Sequence, residues 1–282
     1  MVNIVECSRD AMQGIHHFIP TETKIAYNNL LLKVGFHTLD FGSFVSPKAI
    51  PQMRDTAEVL DGLELEDTTT NLLSIIANKR GAEDAISFPQ IKFLGFPFSV
   101  SETFQMRNTN ATLEEALTRV TEIQDICVRN DRILVVYLSM GFGNPYGDPW
   151  NAEIVMKWVD KLHGMDIKIM ALSDTIGVST PDNISYLFEE LIPAYEDVVF
   201  GAHLHTRKDD WRPKIKAAID SGCKRIDGAL RGYGGCPMAK DELTGNMPTE
   251  NIINYMNEIG VDHSLNQEAL KLAIAYTPQV FL

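Results

Sequence analysis

Two histidines one residue apart, His203 and His205, close the run Val-Val-Phe-Gly-Ala-His-Leu-His at 198–205. The branched and aromatic residues ahead of them read as a buried strand, and side chains two apart on a strand point to one face. Two imidazoles would then converge where that strand ends. Joined by a carboxylate and an amide oxygen they suit a divalent cation, and Asp10 and Asn246 stand at the ends of other segments to supply both. A plainer reading competes, in which one histidine packs in a core and the other caps a loop. For an isolated His-x-His that plainer reading is the commoner one, so the scaffold has to decide.

Strand-like runs alternate with amphipathic helical runs along the chain, the signature of repeated βα units on a parallel sheet. Eight strands are predicted, at 3–7, 38–44, 69–73, 90–96, 133–138, 168–172, 198–204 and 225–229. The clearest helix covers 112–128, with Leu113, Ala116, Leu117, Val120, Ile123 and Ile126 on one side and Glu114, Glu115 and Arg119 on the other. A second covers 180–192, with Thr180 as N-cap, Pro181 in the first turn and Ile184, Leu187, Phe188 and Leu191 as the buried stripe. A third opens near Thr249.

Eight units with no linker or low-complexity segment predict an α/β protein of the (β/α)8 TIM-barrel class. It is expected to be one domain over 1–282, the barrel covering about 2–260 and a C-terminal helical extension about 261–282. A doubly wound open sheet is the alternative. That fold uses a glycine-rich first turn, and the first turn here is Cys7-Ser8-Arg9-Asp10.

Composition narrows the function. Of 282 residues, 45% are hydrophobic and 22% charged, as in ordinary globular domains, and no run approaches the roughly 18 apolar residues of a membrane span. A net charge of −13 opposes nucleic acid. An anionic small substrate would need a local basic patch or a bound cation to reverse that field. The cysteines Cys7, Cys127, Cys223 and Cys236 show no C-x-x-C spacing, and the start lacks a basic leader before an apolar stretch, so the expectation is a cytoplasmic chain without membrane attachment.

In a barrel the active site lies at the C-terminal ends of the strands, and polar residues gather at those ends. Arg9 and Asp10 follow the first strand, Asp40 and Ser43 lie on the second, Asp174 and Thr175 close the sixth, and His203 and His205 close the seventh. After the eighth comes Arg231-Gly232-Tyr233-Gly234-Gly235-Cys236-Pro237, a glycine-rich loop that could move its cysteine onto a substrate. Each feature has a plainer counterpart: a surface ion pair for Arg9-Asp10, a helix N-cap for Asp174 or Asp40, and a small core residue for Cys236. Adjacent strand residues face opposite ways, so Arg9 and Asp10 serve one site only if the chain leaves strand geometry there.

Taken together these strings resemble the 3-hydroxy-3-methylglutaryl-CoA lyases, members of a group of metal-dependent barrel enzymes that cleave or form carbon–carbon bonds. The carrying motifs are Arg9-Asp10 with Gln13; Ser43-Phe44-Val45-Ser46-Pro47-Lys48 with Pro51-Gln52-Met53; Asp174-Thr175-Ile176-Gly177-Val178; His203-x-His205; and Gly234-Gly235-Cys236-Pro237 followed by Gly245-Asn246 and Thr249-Glu250. The resemblance implies that Asp10, His203, His205 and Asn246 hold one divalent cation, Mg2+ or Mn2+, and that Arg9 stabilises an enolate oxygen. It also implies proton transfer by Asp174 and His203, and an enolate-protonating or shielding role for Cys236. Gln13, Asp40, Ser43, Lys48 and Arg231 are the expected substrate-binding residues. The implied partner is an acyl-CoA, the products are acetyl-CoA and acetoacetate, and the implied assembly is a homodimer, for which the stretch 276–281 could pack on a neighbour.

Some positions depart from that pattern. The lyases carry an acidic residue after the second histidine and then a Thr-Tyr-Gly-like turn, whereas Thr206-Arg207-Lys208-Asp209-Asp210-Trp211 stands here. Asp40 replaces a longer glutamate, Asn144 replaces a cysteine, and Arg231 is unusual. Arg207, Lys208, Arg212 and Arg231 could contact an anionic acyl tail or CoA phosphates, and such changes could tune the chain towards a different 3-hydroxyacyl-CoA. A Claisen-type condensing synthase on the same barrel and a non-catalytic barrel that binds acyl thioesters are the alternatives.

Overall fold

The computed structural model describes residues 2–235 and 244–282. Eight parallel strands, β1 (Asn3–Glu6), β2 (Thr38–Ser43), β3 (Asn71–Ile75), β4 (Ile91–Ser99), β5 (Ile133–Ser139), β6 (Ile169–Asp174), β7 (Val199–Thr206) and β8 (Arg225–Gly228), pair in sequence order. Pairing of β1 with β8 closes the cylinder, so the chain is the (β/α)8 barrel its alternation predicts. A two-residue strand, β9 (Gly245–Asn246), adds antiparallel to the end of β7.

The predicted helices form for the expected reasons. Thr112 and Glu115 make a reciprocal capping box ahead of the helix Leu113–Arg129, and Thr180 caps the helix Pro181–Ala194. Their apolar stripes pack on the outward faces of the strands, where Leu94, Phe96, Val136, Leu138, Met170 and Leu172 lie fully buried. A second, smaller core of Leu73, Phe93, Val135, Tyr137 and Ala171 fills the barrel interior. The interior is narrow enough that β4 places Gly95 there: a Cβ would lie 2.5 Å from Ile75 Cδ1.

The last helix, Gln267–Phe281, packs on the helix Thr21–Val34. Tyr276 stacks on Tyr27 at 6.4 Å, and Phe281 stacks on Tyr233 at 4.2 Å. The stretch expected to reach a neighbour therefore packs on its own barrel, because the aromatic residues of helix 21–34 and of the loop after β8 offer it partners. Among the described residues no helix is long and apolar enough to cross a membrane.

Candidate active site

The site starts where β1 gives way to helix. Cys7 leaves strand geometry and a short helix, Ser8–Gln13, begins at once. Arg9, Asp10 and Gln13 thus share one helical turn above the barrel mouth, which meets the condition that strand geometry alone would have failed. Arg9 and Asp10 are 8% and 7% exposed, so they are not a surface pair.

A β-bulge in β2 does similar work. The register against β3 shifts between Asp40 and Gly42, so Asp40 opposite Leu73 and Ser43 opposite Ile75 both face inward although they are three residues apart. Asp40 receives Arg9 Nε at 3.2 and 3.1 Å on its two oxygens and Arg9 Nη2 at 2.5 Å. Nη1 donates to Asp10 at 3.1 Å and to Gln13 Oε1 at 3.0 Å. A guanidinium has five N–H donors, and these contacts use four, leaving one Nη2–H for a ligand. Burial opposes the Arg9 charge, but Asp40 and Asp10 outweigh it and hold the group above its ordinary value.

From the far side of the barrel β7 brings His203 and His205 inward, as their spacing predicts. One ligand atom from each of Asp10, His203 and His205 lies within 4.8 Å of the others. Asn246 on β9 sits opposite His205, and its Nδ2 donates to Asp10 Oδ2 at 2.7 Å. Burial opposes ionisation of Asp10, yet Arg9 and the two imidazoles hold its carboxyl below the ordinary value. Burial and neighbouring His203 push His205 down to about 4, leaving the neutral imidazole that a cation binds. His205 Nδ1 is buried with no hydrogen-bond partner among the described residues. An orphaned ring nitrogen beside a carboxylate, an imidazole and an amide fits a divalent cation.

Beneath this layer lies a polar stack that the sequence reading missed. Asp227 on β8 stands opposite His203 and holds its Nδ1 at 3.3 Å. Arg225 Nη2 donates to Tyr137 Oη at 3.3 Å, and Arg225 Nε lies 3.6 Å from Asp227 Oδ1. Tyr137 meets His203 edge-on at 5.6 Å. Gly201 makes room for Arg225, since a Cβ there would lie 3.0 Å from Arg225 Cδ. The signal was present: Arg225 and Asp227 are two apart on a strand, as the histidines are.

Arg9, Asp10, Gln13, Ser43, His203 and His205 all line one cavity of about 450 Å3, a size suited to a small ligand. Its outer wall carries Arg107 and Asn108 at the end of the helix Glu102–Thr109, a cation the sequence reading overlooked. Asn144 builds the neighbouring turn by accepting from the N–H groups of Tyr146 and Asp148 at 3.0 and 3.1 Å.

Other expected residues are not brought there. Asp174 pairs in register with Leu204, so it faces the helices while Ser173, opposite His203, faces in. Its carboxylate accepts from the N–H groups of Val178 and Ser179 at 2.8 and 2.9 Å and from Lys214 Nζ at 3.1 Å. It holds a turn and does not touch the cavity, which removes the basis for direct proton transfer. Lys48 and Arg231 are exposed and line no part of the cavity. Arg231 turns away at a positive φ of 63°, its N–H donating to Glu250 at 3.0 Å. Arg207 and Lys208 are exposed, and Arg212 pairs with Glu258 at 2.5 Å. Cys236 lies outside the described residues.

Comparison with known proteins converges on one group. The chain is 30% identical to a cytoplasmic 3-hydroxy-3-methylglutaryl-CoA lyase of Mus musculus over 93% of its own length and 76% of the relative's. It is 29% identical to a hydroxymethylglutaryl-CoA lyase of Bacillus subtilis, covering 93% and 87% of the two chains. In structure it matches an HMG-CoA lyase of Acinetobacter baumannii, solved with coenzyme A and 3-methylmalate, at a TM-score of 0.91 and 28% identity over 99% and 91% of the chains. The family model HMGL-like spans residues 2–275. With the barrel, the strand-end residues and the relatives in agreement, the chain belongs to the HMGL-like family.

Proposed function

We propose that this protein cleaves 3-hydroxy-3-methylglutaryl-CoA to acetyl-CoA and acetoacetate. The observation that carries the reading is the meeting of Asp10, His203 and His205 within 4.8 Å beside Arg9 at one cavity. The chemistry needs the tertiary hydroxyl to give its proton to cavity water as the C2–C3 bond breaks, and the developing thioester enolate to be held. A proton must then return to the enolate carbon, a task we assign to Cys236 in the glycine-rich stretch after β8. A divalent cation, Mg2+ or Mn2+, held by Asp10, His203, His205 and Asn246 would supply a Lewis acid that lowers the pKa of that hydroxyl. Two imidazoles favour Mn2+, since Mg2+ prefers oxygen donors.

The chain's own residues then have distinct tasks. Arg9 is clamped by Asp40 behind it and by Asp10 and Gln13 beside it, so its free Nη2–H is preorganised for the enolate oxygen. Asp227 fixes the ring of His203 through Nδ1. The other nitrogen of His203 can serve one task only, and we assign it to the cation in place of proton transfer. Arg107 on the outer wall offers a cation to the anionic ester despite the acidic chain. A homodimer belongs to this reading, and light scattering on the purified protein checks it.

The test is turnover of 3-hydroxy-3-methylglutaryl-CoA with Mn2+, following acetoacetate, beside a panel of 3-hydroxy-3-methylacyl-CoA esters. Cleavage that prefers the ester with the terminal carboxylate is expected. Preference for an ester lacking it would overturn the substrate assignment.

A further inference from the structure

We propose that Lys214 is a positioning residue of the cation site, fixing the end of β7 that carries His205 and the turn against which the lead-in to β9 and Asn246 rests; this builds on the cation-site reading above. Lys214 lies on the helix Trp211–Asp220, among the buried Ile215, Ala217 and Ala218, and is itself 2% exposed. Its ammonium donates to Asp174 Oδ2, the carbonyl of Gly177 and the carbonyl of His205, each at 3.1 Å. Three N–H donors therefore meet three acceptors at hydrogen-bond distance, with Asp210 Oδ2 a further ion-pair neighbour at 3.5 Å.

The placement of those acceptors gives the contact its meaning. Pairing of β6 with β7 stops at Asp174 opposite Leu204, so the His205 carbonyl lies beyond the parallel sheet and Lys214 takes it. On the other edge of β7, His205 pairs with Asn246 and Thr206 with Gly245. The turn that Lys214 holds at Gly177 also seats the lead-in to β9: Thr244 Oγ1 donates to the Ile176 carbonyl at 3.3 Å. A Cβ on Gly177 would lie 2.6 Å from Thr244 Cγ2, so the two segments touch. One ammonium thus anchors both pieces of backbone between which Asn246 is set beside His205.

The fold alone does not call for a lysine here. A buried ion pair is often no more stabilising than apolar side chains of similar volume, and the other buried positions of this helix, Ile215, Ala217 and Ala218, are apolar. Lys214→Met keeps the stem, and Asp174 retains the N–H groups of Val178 and Ser179 and the Ser179 hydroxyl.

The experiment titrates Mn2+ by electron paramagnetic resonance on the full-length protein, wild type, Lys214→Met and Lys214→Arg, with circular dichroism and steady-state kinetics alongside. Lys214→Met is expected to stay folded, to bind Mn2+ about 10- to 100-fold more weakly, and to lose kcat at saturating Mn2+ with KM for the ester nearly unchanged. Lys214→Arg, which keeps charge and donors, should recover most of the Mn2+ affinity. Wild-type affinity and kcat in folded Lys214→Met would overturn the positioning role while leaving the cation site standing. A Lys214→Arg variant that binds Mn2+ as weakly as Lys214→Met would overturn it too. No Mn2+ bound to the wild type would remove the cation site itself, and this role with it.

Discussion

Asp40→Asn separates what the buried carboxylate does for Arg9 from what it does for the fold. Asparagine keeps the shape but offers one acceptor oxygen and no charge. Asp40 now takes three contacts from the guanidinium, so at least one charge-assisted hydrogen bond is lost, while Asp10 and Gln13 still hold Nη1. Such a bond contributes about 1.5–3 kcal/mol, which corresponds to roughly 10- to 100-fold in kcat.

Stability responds to two opposing terms. Burial pushes the Asp40 carboxyl up from 3.8 to about 6 against the pull of Arg9. A carboxyl raised on folding favours its neutral form. Its contribution is fully present below the unfolded value and is lost as pH rises through about 6, above which the ionised group weighs against the fold by roughly 3 kcal/mol. A permanently neutral asparagine escapes that term but leaves the buried Arg9 guanidinium with one anion fewer, a loss of about 3–5 kcal/mol, so at pH 8 the variant should unfold at or somewhat below the wild-type temperature. The assay is acetoacetate release with Mn2+ from pH 5.5 to 9, beside thermal unfolding. Wild-type kcat/KM should fall below about pH 6 as Asp40 takes a proton, whereas the variant should be slow at pH 8 and lack that limb. Full activity at pH 8, or a Tm well above wild type, would refute the reasoning.

Arg9→Met should abolish carbon–carbon cleavage of the acyl-CoA while leaving Mn2+ content intact, measured by metal analysis of the purified variant; unchanged turnover would sink the enolate role. Chelation followed by dialysis should abolish cleavage and added Mn2+ restore it, and turnover that survives full metal removal counts against the cation site. Burial pushes the Glu6 carboxyl up to about 8 as it accepts from Leu230 N–H at 2.9 Å and Thr249 Oγ1 at 2.5 Å. Its neutral form supports the fold below about 4.5, and that support is lost as pH rises through about 8. Glu6→Gln should therefore flatten the decline of Tm between pH 5 and 8, and a parallel decline in both proteins would contradict it.

Which parts of the site were legible in the sequence follows from strand parity. His203 and His205 could be found because two residues on one strand state their shared face without knowledge of the neighbours. Asp40 and Ser43 could not be placed so, since their spacing of three puts them on opposite faces until the bulge is known. Asp174 failed for a related reason: only the register that sets Ser173 against His203 shows that its carboxylate faces the helices. Lys214 looks like an ordinary exposed lysine on an amphipathic helix, and only the end of β6 pairing shows what its ammonium meets. The barrel itself was legible because eight alternations of period leave few other folds.

The acidic chain poses a problem that the interior charges help to solve. With a net charge of −13, the protein as a whole repels an anionic CoA ester. Around the barrel mouth the buried charges are the guanidiniums of Arg9 and Arg225, the ammonium of Lys214 and the carboxylates of Asp10, Asp40, Asp174 and Asp227. Three cations against four anions leave one negative charge when both imidazoles are neutral, the form that binds a cation. That excess suits a divalent cation, whose arrival would turn the local balance from one negative to one positive charge. The ester would then be drawn to a site whose sign is opposite to that of the surrounding protein, in a cavity where burial weakens screening. Cation and ester then bind cooperatively, each raising the affinity of the other. Ester affinity measured by calorimetry should rise with Mn2+ occupancy, and by a similar factor in Asp40→Asn, where the cation changes the local charge by the same two units. Equal ester affinity with and without Mn2+ would mean that contacts in the cavity, and not its charge, govern recognition.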